Sequence, residues 1–512
     1  MQKTGVGSFL FYPDIFLYPW AILRLHFSPI VSFYMWQTMI NFMTFSITYI
    51  CMYSYPKSKL RGFIFSLVYT LAPYRLFLGY YVFGEFVANT FIPIAFLGVY
   101  EILWRHKNRW YILTIGMTLI IYSHVLSTFL TVQVLILVVV MWLTDGIRNK
   151  KIEFSRIYYV ILSAIVTGIL TLPIYIPFLT DFIEKGIGSA YPGINVVSIL
   201  DIWQNSISNY AINTSIGIVL IGVLLTGWYW IKDNKIEKGA YVISLICLVM
   251  ATSIFPWESL KDTIISVIQL PYRYLVYVIL FLSIVASYII ELLCRRYFSK
   301  SVFIVMMPIM MTIGIFGYYG SIRGYIYQLE HTNVGGVYLT KAQEGELQQI
   351  PDVTQLDNDN YSYQFGYSAI YGETDYFPIV SQMHESKENA ESIINNIAKV
   401  GNDNIKVNPT SGPNLLKYTL NLDNKENVDL PVIAYAHTKV YINNRETKYT
   451  ISDRGTVELS LNKGKNIVKV TYVPSKYYYY GWIITLSGWL CLIVGLVFWG
   501  IQKFRRGTVV WN

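Results

Sequence analysis

Apolar stretches, most of them close to 20 residues long, recur along the chain at 28–54, 60–78, 84–104, 109–122, 125–143, 156–179, 213–231, 240–256, 271–293, 301–320 and 479–501. About 20 apolar residues is the length that crosses a bilayer core as a helix. A helix satisfies its own backbone N–H and C=O groups, which lipid cannot do for it. The pattern predicts an α-helical polytopic membrane protein of about 11 transmembrane helices. Composition agrees, since 54% of the 512 residues are hydrophobic and only 14% are charged, where a soluble domain carries roughly a quarter charged.

The loops between these stretches alternate in charge. KSKLR (57–61), RHKNR (105–109), RNKK (148–151), KDNKIEK (232–238), CRRYFSK (294–300) and KFRR (503–506) are basic. GYYVFGE, SHVLS, the 180–212 segment and PWESLKDTIISVIQ carry few Lys or Arg. The positive-inside rule makes the basic set cytoplasmic, and the alternation supports even the narrow break at SHVLS. The net charge of +9 is spread over these loops, so it forms no nucleic-acid patch. The cysteines Cys51, Cys247, Cys294 and Cys491 lie in or beside apolar stretches, and the polar region 321–478 has none to staple it.

This topology places residues 1–28 outside as an outer loop. Their stretch GSFLFYPDIFLYPW (7–20) has no basic region feeding a smooth apolar run, so it reads neither as a signal peptide nor as an anchor. The expectation is that a first helix upstream is missing from this chain. Residues 1–320 are expected to form the transmembrane domain. Region 321–478 reads as a mostly β, sandwich-like extracytoplasmic domain, followed by the final helix at 479–501 and a cytoplasmic tail at 502–512. Its strands are LLKYTLNL, LPVIAYA, KVYINN, TVELSL and NIVKVTYV, separated by NN, DRG and NKGKN turns, with an amphipathic helix in HESKENAESIINNIAKV (384–400).

Ionisable groups at a membrane edge need a partner or a task. On the outer side these are Asp14, Arg24, Arg75, Glu85, His124, Glu258 and Arg273. Singly, an arginine there snorkels to headgroups, Glu85 faces water at a helix start, and His124 is an interfacial histidine. Together, two arginines that oppose the positive-inside trend share a depth with carboxylates. Arginine binds a lipid-linked phosphate by charge-assisted, often bidentate bonds. A nearby carboxylate serves as general base toward an acceptor hydroxyl. The chain has no CxxC, HExxH, GxxxxGK[ST] or GxSxG motif. Hydrophobicity alone leaves a channel or secondary transporter open.

GSFLFYPDIFLY, YTLAPYRLFLGYYVFGEFVA, PIAFLGVYEIL, SHVLSTFL, SIFPWESLKDTIISVIQLPYRYL and the terminal DLPVIAYAHTKVYINNRETKYTISDRGTVELSLNKGKNIVKVTY resemble one bacterial family. It is the group of multispanning proteins labelled 6-pyruvoyl-tetrahydropterin-synthase-related, akin to GT-C-like proteins linked to lipoteichoic-acid glycosylation. The resemblance covers nearly the whole chain, and FPW…QLPYR is its most specific part. The pterin label carries no chemistry here, because a pterin synthase's histidine set is missing.

What the resemblance implies is a polyprenyl-phosphate sugar donor, an outer-face active site in a bacterial plasma membrane, and a cell-envelope glycopolymer as acceptor. It assigns catalytic acidic roles to Glu85 of the GEF stretch and to Asp14, which lies downstream of the family's usual aspartate. Substrate-binding roles go to Arg75, Arg273, His124 and Glu258. Membrane lipids are the other expected partners, and nucleic acid is not one. No cofactor is implied, though a divalent metal bridging phosphate and carboxylates is compatible. The alternatives are a transporter or flippase of lipid-linked sugars, a non-catalytic scaffold, or an inactive truncated form.

Overall fold

The computed structural model describes residues 3–505 apart from 106, 151–152, 184, 189–192, 233, 298–299, 332–357 and 359–373. Much of the first part of the 321–478 region and the end of the 502–512 tail therefore lie outside the described residues. The chain is mostly helical, with several apolar helices and a C-terminal β region. It divides into two compact units, one within residues 13–167 and 193–337, the other within 1–12, 168–192 and 338–512. A division at residue 320, drawn from composition, differs from this in giving the strand-bearing unit neither of its two earlier segments.

The first unit is helical. Its principal helices are Pro29–Ser54, Lys59–Thr70, Pro73–Tyr81, Phe83–Leu103, Trp110–Ile121, Val125–Arg148, Ile218–Trp230, Lys235–Met250, Leu275–Tyr297 and Lys300–His331. Each apolar stretch of the sequence falls on a helix or on a broken pair of helices. Among the described residues four helices are long and apolar enough to cross a membrane, Phe83–Leu103, Val125–Arg148, Pro271–Tyr297 and Lys476–Gln502. The number rises to 6 if the broken pairs Lys59–Thr70 with Pro73–Tyr81 and Phe154–Leu170 with Leu172–Phe182 each count as one span. The expected 11 is larger partly because some helices are short. Trp110–Ile121, at 12 residues, is about 18 Å long against a hydrocarbon core of about 30 Å.

Proline sets the first break. Ala72 is extended, at φ −62° and ψ 134°, because the ring of Pro73 disfavours the helical region for the residue before it. The two helices consequently meet at a bend of 49°. Pro93 acts differently, within Phe83–Leu103. It has no N–H to give to the carbonyl of Asn89, and the Tyr69 hydroxyl donates to that carbonyl instead at 2.7 Å.

The core is built on Phe83–Leu103 and Leu275–Tyr297, most of whose apolar residues are buried. Phe83–Leu103 lies tightly against Trp110–Ile121 through two glycines. A Cβ on Gly98 would come 2.3 Å from the Leu113 nitrogen, and one on Gly116 2.5 Å from the Ala95 nitrogen. Small residues at such contacts let two helix backbones approach.

The basic loops meet at one end of this unit. Arg61 Nη2 pairs with the buried Glu237 at 2.7 Å, and Ser58 donates to Glu291. Arg105 donates to the Ser54 carbonyl at 3.0 Å. Glu101, also buried, gathers Arg105 at 3.1 Å, Arg109 at 3.4 Å and Lys107 at 3.6 Å.

The second unit contains two antiparallel five-stranded sheets. Its strands are β1 (Ile397–Val400), β2 (Asp403–Lys406), β3 (Thr410–Gly412), β4 (Leu415–Leu422), β5 (Glu426–Ile433), β6 (Thr438–Ile442), β7 (Arg445–Thr447), β8 (Thr450–Ile451), β9 (Thr456–Leu461) and β10 (Gly464–Tyr472). The strand orders are β2-β1-β5-β9-β8 and β3-β4-β10-β6-β7. Val428, Leu430, Val457 and Leu459 of one sheet share a core with Tyr418, Leu420, Val440 and Val468 of the other. Along β5 this alternation sends Asp429 to the outer face, where its carboxylate pairs with buried Arg454 Nε at 2.7 Å. Arg454 also donates to Ser392 Oγ at 2.8 Å, binding the helix Lys387–Ile394 to that face.

The N-terminal segment belongs to this unit. Ile433 N–H donates to the Thr4 carbonyl at 3.0 Å, and Gly7 N–H to the Tyr435 hydroxyl, also at 3.0 Å. Phe11 is buried among Phe178, Phe182, Tyr376 and Tyr435. The final helix Lys476–Arg505 packs on Leu172–Pro177, where a Cβ on Gly481 would lie 2.5 Å from Ile176 Cδ1.

Candidate functional site

Helix ends at the opposite extremity from the basic loops bring together three of the residues named from sequence, Glu85, Arg273 and His124, with Arg75 on an adjoining helix. Glu85 sits in the first turn of Phe83–Leu103, and Arg75 in the first turn of Pro73–Tyr81. Arg273 lies in a 3-10 turn, Pro271–Tyr274, that opens Leu275–Tyr297. His124 caps Val125–Arg148, accepting from the Ser127 N–H at 3.3 Å.

Glu85 is 2% exposed. Tyr74 donates its hydroxyl to Oε1 at 2.7 Å, and Arg273 Nε lies 3.5 Å from Oε2 as an ion pair. Arg273 also donates through Nη1 to the Ile268 carbonyl at 3.0 Å. His124 occupies the turn beside this pair. Burial, together with the charge of Arg273, pushes its pKa down to about 3, so the imidazole is neutral. A neutral ring whose Nδ1 accepts from Ser127 carries its proton on Nε2.

Arg75 does not pair with Glu85. Adjacent residues on a helix point about 100° apart, so Tyr74 reaches Glu85 while Arg75 turns to Pro29–Ser54. There its guanidinium donates to Asn41 Oδ1 and, at 2.6 Å, to Thr44 Oγ1. It also stands 4.4 Å from the Phe86 ring centroid. Arg75 is 1% exposed, and no carboxylate pairs with it among the described residues.

Several buried polar atoms in this neighbourhood lack a hydrogen bond. They are Glu85 Oε2, Arg273 Nε, Arg75 Nε and both side-chain polar atoms of Asn89. Asn89 lies one turn after Glu85 on the same helix face. Two of these atoms, Glu85 Oε2 and Arg273 Nε, face each other in the ion pair; native cores leave few such atoms, so each calls for an explanation.

Glu258 and Asp14, the other two residues expected in the site, stand apart. Glu258 is exposed and pairs with Lys261 at 2.5 Å on a surface turn. Asp14 precedes the turn Ile15–Leu17, and its hydrogen bonds are local, to its own backbone and Tyr18. Burial raises its carboxyl above the ordinary range. Neither contacts Glu85 or Arg273. Among the described residues no three His, Cys, Asp or Glu side chains come together as a metal site.

Sequence reasoning missed Tyr74 and Asn89. Tyr74 is one tyrosine among 44, but Asn89 was visible as a lone amide in an apolar run. It also missed a buried carboxylate in the strand-bearing unit. Asp181 lies in a π-helical turn, Phe178–Phe182. It accepts from the His437 backbone N–H at 3.2 Å and the Tyr472 hydroxyl at 3.0 Å, with His437 Nδ1 also at 3.0 Å. Burial first, then the charge of Asp181, push the Tyr472 hydroxyl up, which keeps it a donor. No family model matches the chain, and no curated protein matches it.

Proposed function

We propose that the chain is a GT-C-like membrane glycosyltransferase, moving a sugar from a polyprenyl-phosphate donor to a cell-envelope glycopolymer or lipid. The reaction takes place on the outer face of a bacterial plasma membrane. The observation that carries this reading is Arg75, a buried guanidinium held by neutral groups and, among the described residues, without a carboxylate partner. A cation kept out of water without a counter-charge is unfavourable until an anion joins it. A lipid-borne phosphate is such an anion, reaching the site from the bilayer side.

In this reading Arg75 and Arg273 hold the donor phosphate. Glu85, oriented by the Tyr74 hydroxyl, accepts the proton of the acceptor hydroxyl. Asn89 supplies a donor and an acceptor, both unused in the present arrangement. The membrane setting is supported by Lys476–Gln502, whose most apolar window is only 11% buried. Water does not tolerate that much aliphatic surface on one helix.

Transfer from a labelled polyprenyl-phosphate sugar, in membranes containing the full chain, tests the assignment. Glu85→Gln is expected to lower the rate by about 10²-fold or more, and Arg75→Ala with Arg273→Ala to abolish it. Wild-type rates in these variants contradict the assignment.

The burial of Glu85 and Arg273 favours a second reading, a scaffold in which the pair only fastens the Pro271–Tyr274 turn to Phe83–Leu103. There the wild-type chain leaves the labelled donor unconsumed, and both substitutions change stability alone.

A further inference from the structure

At the basic end of the helical unit a cavity of about 760 Å³ enters between the helices. Its volume is within the ~300–1,000 Å³ of sites that enclose a drug-sized ligand. The inner wall is apolar, with Cys51, Phe65, Val99, Val138, Leu280 and Phe281 all buried. The outer wall carries Tyr100 and Trp104, stacked with centroids 6.1 Å apart, the amphipathic rings that favour a membrane interface.

The mouth is polar and mostly exposed. Arg148, Lys235 and Lys238 line it against, among the described residues, one lining carboxylate, Asp145, which accepts from Asn149 Nδ2 at 2.9 Å. Lys238 Nζ is held 5.9 Å from the centroid of the Trp228 ring. Two buried acids adjoin lining residues, and both are already paired: Glu237 with Arg61 and the Tyr55 hydroxyl, Glu101 with Arg105. An apolar shaft with a cationic rim matches one class of molecule, an amphiphile with an aliphatic chain and an anionic head.

We propose that this cavity is a binding site for an anionic phospholipid, one acyl chain occupying the shaft and the phosphate meeting Arg148, Lys235 and Lys238 at the rim. Glu85, Arg75 and Arg273 do not line it, so it is a second site at the other helix ends. It rests on the membrane reading but not on sugar transfer. The positive-inside rule turns this end to the cytoplasmic leaflet, whose anionic lipids attract basic side chains.

The test is quenching of tryptophan fluorescence in the full chain, held in neutral-detergent micelles, by phosphatidylglycerol brominated on its acyl chains. Brominated phosphatidylcholine and chain-free glycerol 3-phosphate are the comparison arms. Phosphatidylglycerol is expected to quench saturably and at least 10-fold more tightly than phosphatidylcholine, while glycerol 3-phosphate does not displace it. The surface variant Arg148→Glu/Lys235→Glu/Lys238→Glu is expected to abolish that preference. Val138→Phe is expected to weaken both lipids by narrowing the shaft. If Val138→Phe fails to fold, the exposed rim variant still decides. Equal binding of the two lipids, or an unchanged preference in the rim variant, overturns the proposal, as does displacement by glycerol 3-phosphate.

Discussion

Buried charges are where single residues matter most in this chain. Glu85–Arg273, Arg61–Glu237 and Arg454–Asp429 all join residues far apart in sequence. Removing one partner of such a pair strands the other, at a cost of about 3–5 kcal/mol. Arg454→Ala is therefore expected to destabilise the strand-bearing unit by that amount, read as denaturant unfolding of the full chain followed by circular dichroism. Lys439→Ala, which breaks the exposed pair with Glu446, is expected to leave unfolding unchanged, because solvent screens it. Arg273→Ala should destabilise the helical unit similarly, with Glu85→Gln/Arg273→Gln recovering part of the loss. Equal stability of Arg454→Ala and wild type would remove the ion pair from the account. Arg75, Glu85, Arg273 and His124 stand out in the sequence because a polar or charged group at the end of an apolar run is conspicuous. Their partners do not, since the Glu85–Arg273 contact exists only once three helix ends converge.

At the scale of elements, length and apolarity made the helices legible, and alternation did the same for the longer strands. TVELSL and LLKYTLNL match β9 and β4 residue for residue. Among the described residues the missed strands are β1, β2, β3, β7 and β8; β2, β3 and β8 are exposed throughout, so they have no buried face to leave a period-two pattern. β1 lies in the stretch 384–400 expected to be helical, where the helix spans only Lys387–Ile394. The breaks in 60–78 and 156–179 were also missed, although Pro73 and Pro173 stood in the sequence as signals. The glycines of the Phe83–Leu103 contact supply an element-level prediction. Gly98→Ala and Gly116→Ala should each destabilise the helical unit, because the new Cβ meets backbone rather than a flexible side chain. Gly222→Ala, on Ile218–Trp230 with nothing within 4 Å of its Cβ, should instead stabilise by about 0.5–1 kcal/mol through helix propensity. Thermal unfolding in detergent orders the three variants, and Gly116→Ala unfolding above Gly222→Ala would contradict the packing argument.

At the scale of the molecule, the charge pattern of the loops and the placement of the polar cluster agree. The basic loops join one another through Glu237, Glu291 and Glu101, and the Glu85 cluster lies at the other helix ends. That agreement was legible because the positive-inside rule reads loops and does not depend on packing. The strand-bearing unit's use of the N-terminal segment was not legible, because its contacts are a few backbone hydrogen bonds and one buried phenylalanine. A bilayer between the two ends of the helical unit underlies both proposed sites. Sided labelling tests it, using single cysteines in a Cys491→Ala background, since the other three cysteines are buried. On intact cells an impermeant maleimide is expected to reach Glu258→Cys and Lys425→Cys, and to reach Lys232→Cys only after permeabilisation. Labelling of Lys232→Cys and Glu258→Cys to the same extent from outside would contradict a membrane between them.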